Sequence, residues 1–260
     1  MSTQSVCEKC GGTGWIIVER SSVSGAERCA CLSEGRAERL EERSQIPPLY
    51  RSASFENFKT GDARELRSVL SDVKRWADEF DPLGPFPGLL LIGEPGTGKT
   101  HLAVAALRRI MQKVHLADGR VQNGYEGVFT DFQTLLDRIR AGYDSSSNSS
   151  NKEAYRMALD SEVLLLDDLG AHRVTDWVQD TVTSIVTHRC NNKKPLIATT
   201  NLPDADAGSS TFQKTTVGVE YRRTLRDHIG DRARSRLFEM CKVIKMPNVE
   251  DYRIRRGKRF

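Results

Sequence analysis

Long apolar runs are missing from this 260-residue chain, and none approaches the roughly 20 residues a membrane-spanning helix needs. The opening segment Met1-Ser2-Thr3-Gln4-Ser5 lacks a charged start followed by an apolar stretch, so a secretory leader is not expected and a cytoplasmic location is. Cysteine is scarce beyond one cluster: of six, four fall within the first 31 residues. In a reducing compartment these act as thiols or metal ligands rather than as disulfides. No convincing helix-turn-helix pattern occurs, which argues against a sequence-specific regulator. What remains is an ordinary globular composition, 38% apolar and 28% charged, with alternating strand and helix signals. The net charge is only +4, yet residues 221–260 hold thirteen Lys/Arg against five Asp/Glu. Such an excess suits a polyanion, or else a solvated basic tail.

One stretch organises the rest. Leu89-Leu90-Leu91-Ile92 reads as a buried parallel strand and runs into Gly93-Glu94-Pro95-Gly96-Thr97-Gly98-Lys99-Thr100. Glycines at these positions let backbone N–H groups close around a phosphate chain. Lys99 then reaches the β- and γ-phosphates of a nucleotide, and the Thr100 hydroxyl is placed to ligate Mg²⁺. From His101 onward good helix formers follow, so a helix N-terminus points at the anion, and residues 93–101 form the expected nucleotide cradle.

About seventy residues later Val163-Leu164-Leu165-Leu166 ends in Asp167-Asp168, a second buried strand with an acidic tip. Asp167 is expected to hold Mg²⁺, directly or through water, and Asp168 to orient or deprotonate an attacking water. A third strand, Leu196 to Thr200, ends in Asn201, which is predicted to bond the water or the γ-phosphate from between the two motif strands.

At the other end of the chain, Cys7-Glu8-Lys9-Cys10 and Cys29-Ala30-Cys31 can each deliver two thiolates to a tetrahedral Zn²⁺. Gly11 to Gly14 allow a turn around the ion, and residues 15–19 suggest a strand of a small hairpin. So few apolar residues could hardly fold without such a staple. A redox role is disfavoured, since no thioredoxin-like βαβ pattern surrounds the pair. Cys190 and Cys241 read as small core residues.

Between these landmarks the pattern predicts a charged helix over 35–45, a domain junction at Ile46-Pro47-Pro48, and an aromatic wrapping segment over 49–58. Residues 1–45 are thus set apart from a nucleotide domain over 46–260. An amphipathic helix is expected over 62–80, a polar connection over 116–127, a strand at 128–130, and a helix over 132–143 capped by Asp131. Residues 144–151 are serine-rich and predicted to form a loop. Arg138, Arg140 and Tyr143 just before it are candidate contacts for single-stranded DNA, though such a helix is as often only a solvated face.

Taken together, GEPGTGKT, LLLDDLG, LIATTNLP and Gly230-Asp231-Arg232-Ala233-Arg234-Ser235-Arg236-Leu237 resemble the AAA+ ATPases. More narrowly they are similar to the DnaC/DnaI replicative helicase loaders and to the IstB transposition helper ATPases, over about residues 46–255. Thr175-Asp176-Trp177, Asp251-Tyr252-Arg253 and the cysteine-bearing head suit that likeness, and the head favours a loader over a transposition helper. The resemblance implies a three-layer α/β P-loop core with a parallel sheet and little or no C-terminal lid. It also implies weak, partner-controlled ATP hydrolysis, homo-oligomerisation on ATP, and a replicative helicase and single-stranded DNA as partners. Arg236 would be an arginine finger acting on a neighbouring subunit's ATP, with Arg232 assisting. A non-hydrolysing nucleotide-sensing adaptor is the alternative from another class. Two departures stand out: residues 204–220 form a longer polar insert than the family usually has, and no lid arginine is assigned to the nucleotide.

Overall fold

The structure, a computed structural model, describes residues 7–257 except 12, 21–22, 30, 32–35, 118–119, 142–149 and 216–217. Its centre is a five-stranded parallel sheet made of β3 (Gly88–Ile92), β6 (Gly127–Asp131), β7 (Val163–Asp167), β8 (Leu196–Thr200) and β11 (Cys241–Lys245), in the order β11-β3-β8-β7-β6. Every neighbouring pair in it is parallel. Parallel strands are covered on both faces, which is why these segments are apolar throughout rather than alternating. Alternation shows instead in which layer each residue meets. Leu89 and Leu91 pack with α2 (Arg64–Asp78) and α3 (Lys99–Met111), whereas Leu90 and Ile92 face α4 (Phe132–Ala141), α5 (Ser150–Asp160), α6 (Asp176–Asn191) and α7 (Leu225–Met240). Three layers result, with β8 between the strands that carry the two motifs.

The remaining elements fasten the edges. Helix α1 (Arg36–Arg43) buries Leu40 and places Glu41 3.0 Å from Arg108 of α3. Residues 46–58 then cross α3 as a strap, burying Ile46, Ala53 and Phe55. Arg108 donates to the Ala53 carbonyl at 2.8 Å and holds the strap down. In the head, β1 (Trp15–Arg20) and β2 (Val23–Arg28) form the antiparallel hairpin.

One expectation needs correction, and one is filled in. Residues 116–127 are no plain connection: β4 (Val114–Ala117) and β5 (Arg120–Asn123) pair antiparallel. The intervening Asp118-Gly119 lies outside the described residues, but that dipeptide is a strong hairpin signal, and it outweighs the polarity of its flanks. The polar insert is likewise structured, with β9 (Phe212–Thr215) and β10 (Gly218–Tyr221) forming a two-stranded ribbon. The serine-rich stretch and Tyr143 lie mostly outside the described residues, and α5 already begins at Ser150. After β11 the described chain ends in the short helix α8 (Tyr252–Gly257), with no helical lid.

Candidate functional site

The strand ends decide what meets what. Because β3, β8 and β7 are adjacent and parallel, the loops after all three emerge at one edge, where open α/β sheets bind ligands. Gly98 sits at φ +93° as the N-cap of α3, a conformation that keeps a Cβ out, and it lies against the Phe58 ring of the strap. The next residue, Lys99, is buried with its ammonium fully engaged. It donates to the Gly93 and Glu94 carbonyls, both at 2.9 Å, and to Asn201 Oδ1 at 2.6 Å. Burial pushes this lysine down to about 8, against the opposing charges of Asp168, Asp167 and Glu94. Thr97 closes the loop through its hydroxyl, 2.9 Å from the Glu94 carbonyl.

The acidic side is equally ordered. Thr100 Oγ1 donates to Asp167 at 3.0 Å, and Thr199 Oγ1 donates to the same carboxylate at 2.6 Å. Burial raises the Asp167 carboxyl, while the two hydroxyls work the other way. Hydroxyl and carboxylate together offer the hard oxygen pair that Mg²⁺ takes, so these residues fit the ion. Asp168 adopts a left-handed φ of +56°, with its N–H held by Thr199 Oγ1 at 3.0 Å. Its carboxylate accepts from Asn201 Nδ2. Asn201 therefore bridges the lysine and the second aspartate, touching one through its oxygen and the other through its nitrogen.

Other residues fall differently from their sequence positions. The His101 imidazole turns from the loop to the Ser54 carbonyl at 2.9 Å and packs by Phe58. Pro95 and Glu94 lie on the rim, and Glu94 pairs at 2.7 Å with Arg222, which follows directly on the ribbon of the insert. Thr199 was not singled out from sequence; only its place opposite β7 shows that it orients both aspartates. Arg253, part of a triplet quoted only for the family likeness, lies near the site as well. Tyr252 N–H donates to the Gly96 carbonyl at 3.1 Å, and the Asp251 carboxylate lies where a Cβ on Gly96 would stand. This docks the start of α8 on the phosphate loop, near enough for the Arg253 charge to depress Lys99. An arginine thus stands by the loop although no helical lid follows β11 among the described residues.

Of the four arginines of α7, the three after Gly230 are separated by their partners. Arg234 binds Asp204 through two nitrogens, at 2.6 and 2.7 Å, and lies over the Phe238 ring. Arg236 pairs with Glu239 and is half-exposed. Arg232 has no ion pair among the described residues. Arg232 and Arg236 line a groove of about 860 Å³ between α6 and α7, and no phosphate-loop residue borders it. Of the candidate DNA contacts, Arg138 donates to Gln45 at 3.3 Å and Arg140 lies over the Trp177 ring at 4.6 Å. In the head, the sulfurs of Cys7, Cys10, Cys29 and Cys31 all lie within 4.8 Å of one another. Four soft donors at that spacing fit a tetrahedral Zn²⁺.

Residues 85–257 match the IstB-like ATP binding protein family. The phage-like element PBSX protein XkdC of Bacillus subtilis (strain 168) is 24% identical over 204 residues, 75% of this chain and 71% of that protein. The replicative helicase loader DnaC of Escherichia coli (strain K12) is 27% identical over 195 residues, 73% of each. A crystal structure of the DnaC helicase loader superposes with a TM-score of 0.59 at 28% identity, covering 77% of this chain and all of that one. DnaI, at 18% identity and a TM-score of 0.56, shares the fold. No described helix is long and apolar enough to cross a membrane. Since the family match takes in well over half of the residues, the chain belongs to the IstB-like ATP-binding proteins, as a AAA+ ATPase of the DnaC type.

Proposed function

We propose that this protein loads a hexameric replicative helicase onto single-stranded DNA and uses ATP hydrolysis to leave. The observation that carries the ATP part is the convergence of Lys99, Thr100, Asp167, Asp168 and Asn201 at one edge of the sheet. Lys99 meets the β- and γ-phosphates. Thr100 and Asp167 would hold Mg²⁺, and the ion when bound would supply charge neutralisation for the transferring phosphoryl group. Asp168 accepts a proton from, or orients, the attacking water, and Asn201 keeps the aspartate and the lysine in register. Arg236, with Arg232, serves the neighbouring subunit's nucleotide. The relationship to DnaC supports the helicase and single-stranded DNA as partners, with the zinc-bearing residues 1–45 as the docking head. Turnover is weak and raised by partners, in a cytoplasmic homo-oligomer that forms on ATP.

The family match favours one second reading, an IstB-like transposition helper that recruits a transposase on duplex DNA. Capture with residues 1–45 and ATPase assays on the full chain separate the two. Recovery of a hexameric helicase, with turnover stimulated by single-stranded DNA and lost in Asp168→Asn, is the expected result. A transposase in its place selects the second reading. Intact nucleotide binding with no turnover under any condition leaves only a sensing adaptor.

A further inference from the structure

The reaction just described gives the insert no task, yet the insert returns to the phosphate loop. Its ribbon pairs Phe212 with Tyr221 and Thr215 with Gly218. Arg222 N–H closes the base of the ribbon on the Thr211 carbonyl at 2.9 Å. Just beyond, Thr224 and Asp227 form the capping box of α7, and the Tyr221 hydroxyl donates to Asp227 at 2.8 Å. Leu225 N–H donates to the Pro203 carbonyl at 3.0 Å. The backbone at Arg222 is therefore fixed from both sides. From there its guanidinium reaches Glu94 Oε1 at 2.7 Å, and the two side chains border a cavity of about 630 Å³ together with Gly93 and Asn201.

Glu94 stands in a loop that has to receive a polyanion. Its carbonyl binds the Lys99 ammonium, and its carboxylate is one of three acids that sustain the charge on that lysine. A carboxylate within electrostatic reach of Lys99 opposes phosphate by the same field. We infer that Arg222 is a positioning residue of the nucleotide site: by neutralising Glu94 it keeps the phosphate loop receptive to a triphosphate, and it makes the insert part of the binding machinery. This rests on reading the loop as an ATP site. A partly exposed ion pair contributes little to folding, so the consequence falls on ligand affinity.

Binding of fluorescent ATP, ADP and AMP analogues to the full chain tests this, with thermal melts as the folding control. Arg222→Gln is expected to weaken ATP binding by roughly five- to tenfold, less for ADP and least for AMP, as a charge effect scales with ligand charge. Its melting temperature should stay unchanged. Adding Glu94→Gln should restore wild-type affinity, because no stray carboxylate then remains. The inference is overturned if Arg222→Gln binds ATP normally, if Glu94→Gln fails to rescue it, or if the deficit is the same for AMP. Lys99→Ala is a separate control: undiminished ATP binding there removes the ATP reading itself.

Discussion

At the scale of single residues, two buried cations divide the labour between structure and chemistry. Arg189 is fully buried and donates to the carbonyls of Ala158, Ser161 and Pro195 at 2.9, 3.0 and 2.6 Å, so it ties the end of α5 to the starts of β7 and β8. Its acceptors are neutral, and burial accordingly lowers it. Lys99 is buried too, but carboxylates surround it and its place is the phosphate site. Burial holds it at about 8, so between about 8 and its ordinary 10.5 the folded chain binds fewer protons than the unfolded one. By linkage, this group's contribution to stability rises with pH across that window, since its protonated form is what folding disfavours. Triphosphate favours the charged form and raises the value again. ATP binding above pH 8 must therefore take up a proton, and affinity falls as pH rises, approaching tenfold per pH unit from this group alone. Calorimetric titrations at pH 8.5 in two buffers of different ionisation heat should register that uptake. Lys99→Met should abolish it, and uptake that persisted in the variant would assign the proton elsewhere.

Among the elements, α7 has the least regular backbone and the most arginine. Gly230 interrupts it at φ 80°, ψ 162°, a region essentially closed to other residues. The capping box sets the first turn, and the break re-aims the rest so that Arg234 meets Asp204 while Arg232 and Arg236 face the groove. The nearest atoms to a Cβ at Gly230 are 3.8 Å away, on Gln179, so space is not the obstacle. Gly230→Ala should then cost about 1–3 kcal/mol through backbone strain alone, read as a lower urea midpoint. An unchanged midpoint would mean that the helix runs straight without loss. This break was hidden in the sequence, where the segment shows only helix formers around a glycine. Local signals were legible: Leu89–Ile92 and Val163–Leu166 are apolar because both faces are covered, and the phosphate loop carries its own spacing. Long-range pairings were not. Arg189 looks like any solvated helix residue until carbonyls from two other segments surround it, and Thr199, Arg222 and Arg253 acquire meaning only through neighbours remote in sequence.

For the molecule as a whole, the separation of its two charged regions gives the proposed arginine finger a test at the level of assembly. Lys99, Asp167 and Asp168 lie at the edge of the sheet, whereas Arg232 and Arg236 line a groove that borders none of the phosphate-loop residues. A guanidinium that stabilises phosphoryl transfer must touch the phosphate, and neither arginine is placed to serve its own chain. On the arginine-finger role proposed above, one subunit's groove has to meet another's loop, and a monomer then holds two halves of different sites. Turnover per chain should rise with protein concentration and level off once subunits are paired. Lys99→Ala and Arg236→Ala subunits should each be inactive alone, with arginine-finger losses in the range of 10³–10⁵ in related phosphoryl-transfer enzymes. Mixed together, they should recover activity, because an intact loop on one then faces an intact arginine on the other. Steady-state ATPase assays on the mixture decide the matter. No recovery at any ratio, with the two variants shown to co-assemble in the mixture, would return the arginine to its own chain and make the monomer the working unit.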